Sequence, residues 1–459
     1  MPPQQARLAQ AVTAAAHRGA AFVAAAPAAA RGTPSGGARC IAQAAGRRSG
    51  AGGDGGALDA LHAHFRAIYG DRWPGLWESM RARTQRLAWA NPFADAPPSL
   101  PPGWARAFPG LPAYAPPAGE AQRQQQGVEG GFEGEAEGQA PPGWRGGQAL
   151  DGPADARRPG SGAAPPLRAV YLLDRASLYP ALALAPRPGH AAIDLCAAPG
   201  GKALVVAAQM FGGVAVGGDG GGVGGGDGEG GGEAAARRAA AVVASGSLVC
   251  NERSRPRRAA LAAVLRAYLP ADVLAARVAV AGRDGGRWPA ARAGAFDRVL
   301  LDAPCSGERH LAQRAAAGRR LTRADWSASR SKRNAGAQLA LLLSGLKLLR
   351  PGGRLVYSTC SIAPEENDGV VSRALAKALR LGARPAAPAV RWPELLRREG
   401  RDGAAAAAVA GCEATEHGMI ALPDRAGCGP IYWAVLEVPA AHGTPGPHGG
   451  GGGGGGGGG

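Results

Sequence analysis

Apolar residues in this chain follow two rhythms, and the alternation between them marks out a domain. From residue 167 to about 380, short apolar runs give way repeatedly to stretches whose apolar positions recur every three or four residues. The runs "AAIDLC" (191–196), "SLVCNE" (247–252), "VAVAGRD" (278–284), "RVLLDAP" (298–304) and "GRLVYSTC" (353–360) predict strands. The segments "KALVVAAQM" (202–210), "RPRRAALAAVLRAYL" (255–269), "NAGAQLALLLSGLKLLR" (334–350) and "EENDGVVSRALAKALR" (365–380) predict helices. Such alternation predicts an α/β fold, a parallel sheet with helices on both faces. Nearly continuous apolar strands agree, because they are buried on both sides. Residues 418–438, "GMIALPDRAGCGPIYWAVLEV", predict two strands around a turn that close the sheet antiparallel.

Outside that domain the pattern changes. Residues 1–53 hold six arginines and no acid, the composition of an organellar transit peptide (mitochondrion or chloroplast), against the plainer reading of a basic tail. Residues 54–94 predict a small helical unit, with Leu58, Leu61, Phe65, Ile68 and Tyr69 at helical spacing and Leu76, Trp77 and Met80 resuming after Pro74. Residues 95–166 are rich in Pro, Gly and Gln and predict a linker. A Gly-rich run at 212–235 predicts a surface insertion within the 167–440 domain, and the Gly tail at 441–459 predicts disorder.

Composition narrows the classes of function. The formal net charge of +17 favours an anionic partner, nucleic acid first, although a GC-rich genome also writes arginine freely. No apolar stretch is long enough to span a membrane. Seven cysteines, an odd number with no CxxC, match neither a metal site nor a disulfide framework and predict free thiols. The glycines at 212–232 contain GxGxxG, but no strand feeds them into a helix, so a nicotinamide site is not predicted.

The candidate chemistry sits at the strand ends, where a doubly wound sheet opens its ligand crevice. In "DLCAAPGGK" (194–202) a strand runs into a tight loop and a helix starts at Lys202. Gly200 and Gly201 let backbone approach a ligand closely, and N–H groups at a helix start receive anionic groups. Glu252 ends the second strand, suited to ribose hydroxyls, and Asp284 ends the third, suited to an adenine amino group. The fourth strand delivers Asp302 and, two residues beyond Ala303, Cys305; the fifth delivers Thr359 and Cys360. A free cysteine is most often a small buried hydrophobe. That fits Cys250 better than Cys305, which follows Asp302 and Pro304 out of the sheet. Spacing does not say which of the two thiols would attack a substrate.

Taken in order, "CAAPGGK", "DAPCSG" and "YSTCS" resemble the Sun/Fmu (NSUN) family of RNA cytosine-C5 methyltransferases, over about 167–438 and more weakly over the N-terminal helical unit. That N-terminal segment and the ending "GPIYWAVLEV" look most like the family's mitochondrial ribosomal-RNA member. The resemblance implies a Rossmann-like S-adenosylmethionine-dependent methyltransferase fold. It also implies that Cys196, Ala197, Ala198, Pro199, Gly200, Gly201 and Lys202, with Glu252, Asp284 and Asp302, bind S-adenosylmethionine. Cys360 would be the nucleophile, Cys305 the thiol that assists product release, and Asp302 the group that meets the substrate base. The 212–235 insertion, Glu252 where aspartate is more frequent, and the 95–166 linker depart from the family's pattern; none removes a catalytic residue.

RNA contact is expected from residues 309–333, with eight Arg or Lys against one acid. Arg309, Arg319, Arg320, Arg323, Lys332 and Arg333 would hold phosphates, and Trp326 would either stack on a base or sit in the core. Ribosomal RNA is the first expected substrate and transfer RNA the second. No separate RNA-recognition domain is legible, so a protein helper or the N-terminal helical unit would choose the target. An RNA-binding ribosome-assembly factor with dispensable methylation is the alternative, and the intact Cys305 and Cys360 argue against it. An amino-group methyltransferase would want an Asn/Asp-Pro-Pro-Tyr motif where "DAPC" stands.

Overall fold

In a computed structural model the described residues are 56–82, 86–95, 98–108, 111–117, 166–214, 246–380, 387–390 and 411–439. The expected transit peptide, nearly all of the Gly-rich insertion, the Gly tail and residues 118–165 of the expected linker lie outside them.

The first described segment is helical, as the spacing predicts. Helix α1 (Gly56–Tyr69) and helix α2 (Trp73–Arg81) bury Leu61, Phe65, Trp73, Leu76 and Met80 at no more than 1 % exposure. Each such burial is worth about 1.5–3 kcal/mol. The face they cover belongs to the main-sheet domain, since these side chains share a core with Trp326, Ile362 and Leu422. Tyr69 Oη also donates to the Ile362 carbonyl at 2.6 Å, and Arg72 is held between Glu413 and Asp424.

The expectation of helix throughout 54–94 and of linker from 95 is corrected by a four-stranded antiparallel sheet. Strands β1 (Arg86–Ala90), β2 (Ala105–Arg106), β3 (Ala113–Ala115) and β4 (Val170–Asp174) lie in the order β2-β3-β1-β4. Within the supposed linker, Phe108, Leu111 and Ala113 are buried at 3 % exposure or less, and hydrophobic contact overrides the Pro- and Gly-rich composition around them.

The main sheet matches its prediction. From β4 the chain passes through α3 (Arg175–Ala183), β5 (Ala191–Asp194), α4 (Gly201–Phe211), β6 (Ser247–Asn251), α5 (Arg255–Tyr268), α6 (Ala271–Arg277) and β7 (Val278–Ala281). It continues through β8 (Phe296–Asp302), α7 (Glu308–Ala316), α8 (Ala328–Leu348), β9 (Leu349–Thr359), α9 (Asp368–Arg380) and β10 (Ala387–Val390). It ends with β11 (Cys412–Ala414), β12 (Met419–Ala421), the short α10 (Pro423–Ala426) and β13 (Ile431–Glu437). Strand order is β11-β12-β13-β9-β8-β5-β6-β7, with β10 added on β13. Strands β7, β6, β5, β8 and β9 are parallel, and β13 closes antiparallel on β9. Both faces are covered: along β8, Val299 and Leu301 join the core shared with α8 while Leu300 joins the one shared with α4 and α5. Strand order reverses between β5 and β8, and a crevice opens at such a point beyond the carboxyl ends.

Candidate active site

At that reversal a cleft of about 500 Å³ is lined by Asp194, residues 196–202, Asp302, Cys305 and Cys360, among others. Its first wall is the loop after β5. Gly200 opens helix α4 at φ +128°, where only glycine is unstrained, and a Cβ there would lie 2.9 Å from Val264. Neighbouring strands and helices fix the loop. Ala197 N donates to the Asn251 carbonyl at 2.8 Å, and the Arg257 guanidinium donates to the Ala198 carbonyl at 2.8 Å.

The second wall is built by β8 and β9. Their parallel register sets Asp302 opposite Ser358, so the two strands end level and both thiol loops leave at the same height. Cys305 Sγ lies 3.0 Å from Cys360 Sγ, with Cys360 exposed and Cys305 half-buried; both are free thiols. The hydrogen bond to Cys360, followed by burial, pushes the Cys305 thiol well above its ordinary value. Asp302 accepts from Ser358 Oγ at 2.8 Å and pairs with Lys202 Nζ at 2.9 Å; Lys202 also reaches Ser177 Oγ at 3.5 Å.

Acid accumulates at the floor. Asp194 is 1 % exposed, and burial, then repulsion from Asp302, raise its carboxyl to about 7. A cationic ligand would relieve that repulsion. S-adenosylmethionine, with a sulfonium and an ammonium, fits this donor set, and the 196–201 backbone lines the space beside it. Burial, then the charges of Asp194 and Asp302, push the Cys196 thiol up.

The structure therefore brings together residues 196–202, Asp302, Cys305 and Cys360 as the sequence predicts. Glu252 and Asp284 do sit just past the ends of β6 and β7, but the cleft lining does not include them. Glu252 is buried, accepts from Ser254 N at 2.7 Å and pairs with Arg257 at 3.1 Å. Asp284 caps a short turn by accepting from Gly286 N at 3.1 Å.

The basic segment divides. Arg309 is tied to Asp174 at 3.1 Å and to the Ala82 carbonyl at 3.3 Å, so it clamps the fold rather than standing free for phosphate. Trp326 is 2 % exposed and packs among His64 and Phe65, which settles its two readings in favour of the core. Arg319, Arg320, Arg323, Lys332 and Arg333 are exposed.

Sequence reasoning missed Asp194, Glu308 and Glu366. The last two are fully buried carboxylates that accept from the backbone and hydroxyls of the thiol loops. Their only signal was proximity to the cysteine motifs.

Residues 235–387 match the family model described as 16S rRNA methyltransferase RsmB/F. The chain is 34 % identical over 214 residues to the mouse tRNA (cytosine(34)-C(5))-methyltransferase, mitochondrial, covering 46 % of this chain and 49 % of that one. It is 34 % identical over 211 residues to the Xenopus tropicalis 5-cytosine rRNA methyltransferase NSUN4, covering 45 % and 42 %. Similarity extends to the Pyrococcus abyssi tRNA (cytosine(49)-C(5))-methyltransferase, 30 % identical over 225 residues, covering 48 % and 58 %. The chain spans about half the length of these curated relatives.

Proposed function

We infer from these similarities that the chain is a member of the Sun/Fmu (NSUN) family, and on that reading we propose that it methylates C5 of a cytosine in RNA through a covalent cysteine adduct. The observation that carries the proposal is the pair of thiols 3.0 Å apart beside a cleft walled by the 196–202 loop.

Cytosine C5 is too weak a nucleophile to take a methyl group unaided. Attack of the exposed Cys360 thiolate forms an Sγ–C6 bond, breaks the ring's conjugation and leaves C5 enamine-like. The Lys202–Asp302 pair offers a donor beside an acceptor, the complement of cytosine's N3 and its amino group. S-adenosylmethionine, when bound against residues 196–202, supplies the electrophilic methyl group. To finish, C5 gives its proton to a base, the Sγ–C6 bond breaks, Cys360 leaves as thiolate and the ring's conjugation returns. Cys305 suits that last step. Its sulfur stands 3.0 Å from that of Cys360; once its own proton has passed to solvent, the Cys305 thiolate takes the C5 proton as Cys360 departs.

Ribosomal RNA stands first as substrate, supported by the wording of the matched family model, and transfer RNA second, supported by the tRNA-modifying relatives. An organellar location accords with the acid-free N-terminus and with the mitochondrial relative.

Covalent trapping tests the reading. Wild type, Cys305→Ala and Cys360→Ala are incubated with S-adenosylmethionine and organellar RNA, and denaturant-resistant protein–RNA adducts are counted. Adduct should accumulate in Cys305→Ala and vanish in Cys360→Ala. The reverse pattern would exchange the two roles. Absence of both adduct and methyl transfer with every RNA would leave an RNA-binding assembly factor.

A further inference from the structure

We propose that Glu308 and Glu366 are positioning residues that set the two thiols separately and crosswise, Glu308 holding the loop of Cys360 and Glu366 the loop of Cys305. The proposal rests on the reading of Cys360 as nucleophile and Cys305 as the thiol that releases product.

The geometry is reciprocal. Glu308 belongs to the Cys305 side, in the first turn of α7. Its carboxylate crosses to the other loop, accepting from Ser361 Oγ and from Ile362 N, each at 3.2 Å, the two residues that follow Cys360. Glu366 belongs to the Cys360 side and crosses the opposite way. It accepts from Ser306 N at 3.1 Å and from Ser306 Oγ, the residue that follows Cys305. Helix α8 braces it through Ser331 Oγ and Gln338 Nε2, each at 2.8 Å, and Gln338 Nε2 also reaches the Pro304 carbonyl at 2.9 Å, on the other side of Cys305. Cys305 is thereby bracketed by groups that answer to Glu366. Cys360 is bracketed by Ser361, which answers to Glu308, and by Thr359, whose hydroxyl donates to Asn367 Oδ1 at 2.6 Å.

Stability alone does not explain this arrangement. Both carboxylates are 0 % exposed, and among the described residues neither has a Lys or Arg partner. Buried acids without a counter-ion are costly, and well-packed apolar residues of similar volume would usually serve a fold better. What the two acids supply is a set of hydrogen bonds that locates each sulfur from the opposite side. Misplacing a reacting group by about 1 Å is enough to cost roughly 100-fold in rate.

The experiment compares Glu308→Ala, Glu308→Gln, Glu366→Ala and Glu366→Gln with Cys305→Ala, Cys360→Ala and wild type. Circular dichroism melts establish folding. Adduct yield, single-turnover methyl transfer and steady-state turnover are then measured with the same RNA and S-adenosylmethionine. Glu366→Ala should behave as Cys305→Ala does: adduct accumulates, one methyl group is transferred, and steady-state turnover falls by about 100-fold. Glu308→Ala should behave as Cys360→Ala does, with adduct and single-turnover transfer lost together. Each Gln variant should move back toward wild type, because a carboxamide still accepts from a backbone N–H while its amide donates to a hydroxyl. If the Ala variants do not fold, Ser306→Ala and Ser361→Ala carry the same two expectations through the donors. Equal loss of adduct formation and release in both Glu variants would overturn the proposal, as would loss of adduct in Glu366→Ala while Cys305→Ala accumulates it. Failure of the two cysteine variants to differ would overturn the reading of the thiols, and this proposal with it.

Discussion

Glu308 is an acid that the fold holds close to neutral: burial first, then the charge of Glu366, raise its carboxyl to about 7. Tyr69 also lies within its field, raised by burial and then by Glu308, and Glu308 adds to the rise that the hydrogen bond to Cys360 and burial produce at Cys305. A raised carboxyl makes the native state hold a proton that the unfolded chain has already released. Stability is therefore highest below the ordinary glutamate range, falls as pH rises toward 7, and levels off above about 8, for a total of about 3 kcal/mol. Glu308→Gln removes that titration. The gap between its melting temperature and that of wild type should widen in favour of Gln from pH 5 to pH 8; a constant gap would show that Glu308 does not titrate in this range. Glu308 and Glu366 also show why part of the site was illegible in the sequence. An acid in a polar string such as "APEEN" has the look of solvated surface, and only the crossing of two loops 60 residues apart turns it inward. Cys305, Cys360 and the 196–202 loop were legible because strand ends dictate where they sit.

Elements were readable where they carried a period. The five parallel strands and the four predicted helices of the main sheet all appear, with shifts at their ends. Helix α3 was missed because residues 176–183 are all buried, so it has no polar face to set a 3.6-residue rhythm, and Pro180 lies inside it. Strands β1 and β4 were missed because each is a single short run whose partner stands far away in the chain. Helix α8 starts at Ala328, six residues earlier than its apolar period predicts, because Ser327 caps it by accepting from Arg330 N at 3.2 Å. The tryptophan just before that cap gives a test of packing. Trp326→Ala should cost about 3–5 kcal/mol in urea unfolding, since it empties a core shared with Phe65 and Leu321. Lower RNA affinity at unchanged stability would instead return Trp326 to the role of a base-stacking residue.

At the scale of the molecule, charge is distributed against local preference. Arg330, Lys332 and Arg333 occupy the first two turns of α8, where the helix dipole disfavours cations, and Arg320 and Arg323 stand exposed just before them. An anionic partner resolves that conflict, and the phosphates of the proposed RNA substrate are the suitable one. Replacing Arg320, Arg323, Lys332 and Arg333 with Gln should weaken binding to all RNAs alike. It should also flatten the dependence of log affinity on log salt by about 0.7 for each phosphate left without its cation. An unchanged slope would place the RNA on another face.

The crossed carboxylates also bear on when this chemistry comes into being. The bond between Glu366 and Ser306 closes a separation of 60 residues and that between Glu308 and Ile362 one of 54, with α7, α8 and β9 lying between. Contacts of such span are entropically dear and form late, after local helices and turns. Until they close, a chain emerging from synthesis carries two ordinary cysteines. The close pair of thiols arrives with the completed crossover from β8 to β9, so the reactivity proposed for it is timed by the last contacts of the sheet that supports it.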